Sequence, residues 1–288
     1  MQTTVVEPLA ELAWLAWRRA DDACVNEHGC RDYHRAWSLV RLLSENGSEL
    51  AGEDFFQQEF KRIQQHQPIK RVLISGGADT GLTTLAINAC LAAGARADFV
   101  FVDRCATPCE QNQLLAKATQ TTIDVIKEDI VDVEIEPVDV VIAHNFLPFF
   151  DQTGRSLVLQ SWRRNCNVGG TLLLSNTLVA EESDWEITRD EQAMNGRALR
   201  LREKALAAGQ SRNVADAIYE AALALWRLQP LMLPSITARS MRELIDAAGF
   251  DVLTIEQRDF GSMNRPMGGL GIKKTSRFRA GVRAVRRG

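Results

Sequence analysis

An apolar run that ends in glycines and restarts as a helix constrains this chain more than any other feature. Arg71-Val72-Leu73-Ile74-Ser75 leads into Gly76-Gly77-Ala78-Asp79-Thr80-Gly81, and helix-forming sequence begins near Leu82. A short buried strand that turns at once into a helix belongs to an α/β sheet. Gly76, Gly77 and Gly81 can take positive φ or let a ligand lie against bare backbone, and the amides that open the helix point into the same space. The segment therefore predicts a small-molecule site at the carboxyl end of its strand.

The residues between the glycines discriminate among ligands. A phosphate loop needs a lysine where Leu82 stands, so a triphosphate loses its main cation there. The dinucleotide fingerprint fails on spacing, and Asp79 would set a carboxylate near a pyrophosphate. Asp79 suits a ligand that carries positive charge, such as the ammonium and sulfonium of S-adenosylmethionine. Downstream, Ala97 to Val102 reads as a second buried strand ending at Asp103, where a carboxylate can accept both hydroxyls of an adenosine ribose.

Strands and helices then alternate. Thr121 to Ile126, Val138 to Ala143 and Gly170 to Leu174 read as strands three to five, with Asp251 to Gln257 and Arg277 to Val285 as the last two. Two charged helices, about Thr188 to Ala208 and Val214 to Leu228, interrupt the alternation and form a helical insertion, residues 178–234, after strand 5. Residues 1–68 read as helices without strands, Leu9 to Ala20, Tyr33 to Leu43 and Asp54 to Gln65, packed as a lid on the edge of an α/β domain spanning 69–288. The predicted fold class is a Rossmann-like, seven-stranded, mostly parallel sheet with helices on both faces.

In this order the chain resembles the class I S-adenosylmethionine-dependent methyltransferases. The resemblance is carried by the turn Gly76 to Gly81, the strand end Asp103, the segment Glu128-Asp129-Ile130, the strand and loop Asp139 to Leu147, the strand Val168 to Leu174 and the late Ala248-Gly249-Phe250. It implies S-adenosyl-L-methionine as cofactor, S-adenosyl-L-homocysteine as product, and contacts from Gly76, Gly77, Asp79 and Gly81 to the methionine moiety. It also implies contacts from Asp103 and Arg104 at the ribose, from Asp129 and Ile130 at the adenine, and from His144 and Asn145 near the transferred methyl. Tyr33 is expected to bond the methionine carboxylate from a helix that closes over the cofactor. Ser75 departs from the family by standing where an acidic residue is common.

A general base is needed only for an acceptor that is protonated at working pH. His144 and His34 are the candidates, with a hydrogen-bonded loop residue and a surface-helix residue as their respective structural readings. Trp14, Trp17, Trp162, Trp185 and Trp226 read as packing residues. Six dispersed cysteines fit reduced thiols and a cytoplasmic location; Cys105 and Cys109 lack partners in sequence for a metal set, so no metal is expected. A net charge of −3 offers no bulk attraction to nucleic acid, and no apolar run is long enough to span a membrane. Arg277, Arg279 and Arg283 alternate along the last strand as its solvated face or as a basic patch. The expected function is methylation of a small-molecule metabolite, with a peptide or protein acceptor, or adenosine-ligand binding without catalysis, as alternatives. A homodimer through the N-terminal helices is also expected.

Overall fold

The computed structural model describes residues 4–24, 30–43, 53–180, 188–189, 191–228, 236–258, 270–271 and 277–288. Three helices come first: α1 (Leu9–Ala23), α2 (Cys30–Leu43) and α3 (Glu53–His66). The alternation follows as β1 (Arg71–Ser75), α4 (Gly81–Ala92), β2 (Asp98–Asp103), α5 (Ala106–Thr119), β3 (Ile123–Lys127), β4 (Val138–His144), α6 (Gln152–Arg164) and β5 (Cys166–Val179). Then come β6 (Thr188–Arg189), α7 (Glu191–Ala207), α8 (Arg212–Leu228), β7 (Ile236–Thr237), α9 (Ala238–Ala247), β8 (Phe250–Arg258), β9 (Leu270–Gly271) and β10 (Arg277–Arg286). His28, Trp185 and most of the glycine-rich stretch after Phe260 lie outside the described residues, as does the side chain of Trp226.

The main sheet runs in the order β3-β2-β1-β4-β5-β10-β8, with the two-residue β7 added to β5. β1 to β5 are parallel, and β10 is antiparallel to both β5 and β8. This is the expected sheet. The apolar runs of β1 and β4 are buried because helices cover both faces. One face packs on α6 and α9 through Trp162, Met241 and Ile245; the other packs on α4 through Leu85, Ala86 and Ala89. Thr237 caps α9 by accepting the Ser240 amide at 3.0 Å, so the polypeptide turns from β7 directly into that helix.

Two features differ from the sequence reading. β5 continues beyond Leu174 through Ser175-Asn176-Thr177 to Val179, because β10 pairs with it residue for residue over that polar stretch. Antiparallel pairing satisfies the backbone there, which apolar patterning could not report. The second feature is α3. Rather than standing at the edge with the other N-terminal helices, it lies on the sheet with Phe55, Phe56 and Phe60 fully buried among residues of β1, α4 and β5. Gly281 of β10 receives it: a methyl there would come within 2.5 Å of the Phe55 ring. The last strand is consequently covered instead of solvated. Arg279 is buried, and Arg283 pairs at 3.1 Å with the buried carboxylate of Glu59 on α3.

Helices α1 and α2 do form a separate layer, and they share it with the insertion. Ala13, Ala36 and Leu39 pack against Met194, Ala198 and Leu201 of α7 and Ile218 and Leu225 of α8. α7 starts two residues after a short strand, β6, where the sequence suggested continuous helix.

Candidate functional site

Strand order reverses between β1 and β4, and ligands of open α/β sheets bind in the crevice at the carboxyl ends of strands flanking such a point. β1 delivers the glycine turn there. Gly76 has φ of +69° and donates its N–H to Val102 O of β2 at 2.9 Å, which fixes the turn against the neighbouring strand. A methyl on Gly76 would lie 2.3 Å from the Phe146 ring, so here the bare backbone accommodates a protein aromatic group. That ring touches Phe150 and Trp162, and the Trp162 indole N–H donates to Ser75 Oγ at 2.8 Å. Ser75 thus serves packing beneath the site.

Asp103 ends β2 beside this turn. Its Oδ2 accepts the Gly77 amide at 3.2 Å and its Oδ1 accepts the Cys105 amide at 2.7 Å. A carboxylate has about four acceptor positions, so two remain for a ligand. Burial raises the Asp103 carboxyl above its ordinary range, while His34, the two amides and Arg104 act in the opposite direction. Arg104 itself is exposed next to it.

The structure gives Asp79 protein partners. Its Oδ2 accepts from Arg41 of α2 at 2.5 Å and from Ser38 at 3.4 Å, and its Oδ1 accepts the Gly81 amide at 2.9 Å. Arg41 also grips Glu7 through both terminal nitrogens, at 3.1 and 2.7 Å, and Thr80 donates to the same carboxylate. Burial opposes the Arg41 charge, but Asp79 and Glu7 more than offset it and raise its pKa. The Asp79 carboxylate and the Gly81 amide are therefore engaged with protein groups instead of facing the crevice. They lock α2 onto the glycine turn.

That lock brings Tyr33 into place. Its ring stacks on Trp37 at 5.6 Å and meets Phe149, after β4, edge-on at 6.0 Å. Burial, then the charges of Asp79 and Asp103, raise the Tyr33 pKa, so its hydroxyl stays neutral. Phe149 is 46% exposed.

Each candidate base has one ring nitrogen engaged by protein groups. Arg279 Nη1 lies 3.1 Å from His144 Nε2, and Asn145 Nδ2 lies 3.4 Å from it. Two donors on that nitrogen fix it as acceptor, and burial together with Arg279 holds the His144 pKa well below 6.5. Burial in turn pushes Arg279 down to about 10. His34 is buried on α2 with Nδ1 3.3 Å from Cys24 Sγ, and burial lowers its pKa also. Asn145 occupies the left-handed region at φ +47° and accepts the Thr177 amide at 2.8 Å, so it splices β4 to β5. Asp129 accepts the Val131 amide at 3.0 Å in the loop after β3, and the Ile130 side chain belongs to the core.

The sequence reading passed over Phe146 and Phe149, which patterning alone assigns to a hydrophobic turn. It also passed over Arg41 and Glu7, whose roles exist only in three dimensions. The cysteines group differently from expectation: Cys109 stands apart, and Cys105 meets Cys24, Cys30 and His34. Cys24-x5-Cys30-x3-His34 is the signal that could have revealed this.

No protein-family profile matches this sequence, and no curated protein matches it. Among solved structures, the cyclase SpnF superposes with a TM-score of 0.52 at 10% identity, over 88% of this chain and 93% of that one. A geranyl diphosphate methyltransferase, crystallised with GPP and sinefungin, superposes with a TM-score of 0.50 at 10% identity, over 81% of this chain and 77% of that one. At such identity the likeness establishes the fold, which is that of the class I S-adenosylmethionine-dependent methyltransferases. A cyclase and a methyltransferase on one scaffold show why the chemistry must be argued from the site.

Proposed function

We propose that the protein is an S-adenosylmethionine-dependent methyltransferase acting on a small-molecule acceptor. The observation that carries this reading is Asp103: a carboxylate at the tip of β2, oriented through both oxygens by the Gly77 and Cys105 amides, with acceptor positions left for two ribose hydroxyls. Gly77 and Arg104 flank it, and Tyr33 of α2, whose ring meets Phe149 after β4, is assigned in this reading to the amino-acid end of the ligand. The residues present therefore fit an adenosine ligand with an amino-acid tail. When bound, the cofactor supplies a methyl group made electrophilic by its sulfonium.

The protein's part is positioning. Tyr33, Phe146 and Phe149 wall the crevice with aromatic faces, which favour a cationic sulfonium and exclude water from it. Oriented approach of an acceptor can supply much of the rate enhancement. His144 acts in this reading by holding Arg279 and Asn145 in place across β4 and β10. His34 supports α2. Acceptors that reach the site already nucleophilic suit this arrangement best.

Incubation of the purified chain with isotopically labelled cofactor and fractionated small-metabolite extract tests the proposal. The expected result is label in a low-mass product that appears only with active protein. Label in polypeptide alone would assign a protein acceptor, and binding without transfer to any fraction would assign a silent binding protein.

A further inference from the structure

Cys24, Cys30, His34 and Cys105 each place one ligand-type atom within 4.8 Å of all the others. We propose that these four side chains form a metal site for a single tetrahedral zinc-type ion, bound by three thiolates and one imidazole. The proposal stands apart from methyl transfer: either can fail without the other.

The donors come from three places that sequence alone keeps separate. Cys24 follows the end of α1, Cys30 opens α2, and Cys105 precedes α5 just after β2. Cys30 and His34 lie one turn apart on the same face of α2, the spacing at which two helical side chains can reach a common point. Around one ion with bonds of about 2.3 Å to sulfur and about 2.0 Å to nitrogen, donors stand roughly 3.5–3.8 Å from one another. The cluster is already near that size, with Cys24 Sγ 3.3 Å from His34 Nδ1. A polynuclear iron centre would distribute its ligands over separate irons and needs a wider cage. Thiolate and imidazole donors also select zinc over magnesium or calcium, which take oxygen.

Contacts with Cys24 and Cys30, then burial, push the Cys105 thiol up, so a thiolate there needs the positive charge of a bound ion. Cys30 and Cys105 sit at the amino-terminal ends of two helices, where unsatisfied amides favour a thiolate. The fully buried Thr107 hydroxyl lies 3.1 Å from Cys24 Sγ and can donate to it, a supporting contact of the kind that fixes ligand orientation. Cys24, His34 and Cys105 are buried, while Cys30 is half-buried and leaves a route for metal entry. A disulfide accounts for the cluster poorly, since three sulfurs leave one over and the imidazole has no part in it.

The consequence is mechanical. An ion here would join α1 and α2 to the β2–α5 connection, whose Cys105 amide orients Asp103. Metal loss should then loosen α2 and the ribose carboxylate together.

The test uses the full chain, purified under reducing conditions without chelator, and measures metal content and cobalt substitution. The expected result is about one zinc per chain, and a cobalt form with thiolate charge-transfer and tetrahedral d–d absorption. X-ray absorption at the zinc edge should show three sulfurs and one nitrogen. Cys30→Ser, the substitution at the least buried ligand, should lose the cobalt spectrum, whereas Cys90→Ser and Cys166→Ser should keep it. If Cys30→Ser does not fold, the absorption coordination numbers of the unaltered protein still decide. A folded, reduced chain that binds neither zinc nor cobalt would overturn the proposal. So would coordination lacking three sulfurs, or a peptide map showing a native disulfide among Cys24, Cys30 and Cys105.

Discussion

At the scale of single residues, the same side-chain type does opposite work according to what surrounds it. Asp103 and Asp79 both carry carboxylates beside the glycine turn, yet Asp103 has acceptor positions to spare and Asp79 is consumed by Arg41, Ser38 and Gly81. Asp103 was legible in the sequence because an apolar strand stops at it. The fate of Asp79 was not, since its cation sits 38 residues earlier and on a helix that apolar spacing placed only as a lid. His144 shows the same dependence on surroundings. Burial and Arg279 keep it neutral in the folded state well below 6.5, while the unfolded chain takes up a proton near that value. The unfolded state then binds more protons, so this contribution to stability is complete above pH 6.5 and declines as pH falls toward the folded pKa, by at most about 1.4 kcal/mol per pH unit. Urea unfolding at pH 7.5 and 5.5 should therefore show a larger acid loss in the natural protein than in His144→Gln. Equal losses would mean that His144 is not held neutral in the folded state.

At the scale of elements, α2 and α3 divide roles expected of a single N-terminal lid. Helix α3 is part of the sheet's own packing, and its Phe55 and Glu59 convert an arginine-bearing strand into a buried one. Alternation of Arg277, Arg279 and Arg283 with apolar residues reports two faces but not which is covered. Helix α2 is tied to the glycine turn by the Glu7–Arg41–Asp79 group, in which all three side chains are buried. Removing one partner of a buried charge group leaves the others uncompensated, at a cost of about 3–5 kcal/mol. Arg41→Ala should destabilise the chain by that amount in urea unfolding. Arg41→Ala combined with Glu7→Gln and Asp79→Asn should recover much of it, because no bare charge remains. A loss below about 1 kcal/mol in the single variant would show that the group is solvated and that α2 is held by apolar contacts alone. Element order and strand direction were legible because period and turn chemistry are local; the covering of β10 and the length of β5 depend on partners far away in sequence.

At the scale of the whole molecule, two helical segments separated by more than a hundred residues, α1–α2 and α7–α8, share one apolar cluster beside a sheet whose switch point carries Asp103 and the glycine turn. That arrangement makes the crevice a property of the entire chain. Titration calorimetry decides whether Asp103 holds an adenosine ligand with an amino-acid tail. S-adenosylhomocysteine should bind with one site per chain, and Asp103→Ala should weaken it by about 2–3 kcal/mol, roughly a hundredfold, because two ribose hydroxyls lose a charged partner. Tight binding of NAD or ATP with none of S-adenosylhomocysteine, or unchanged affinity in the Asp103 variant, would contradict the account.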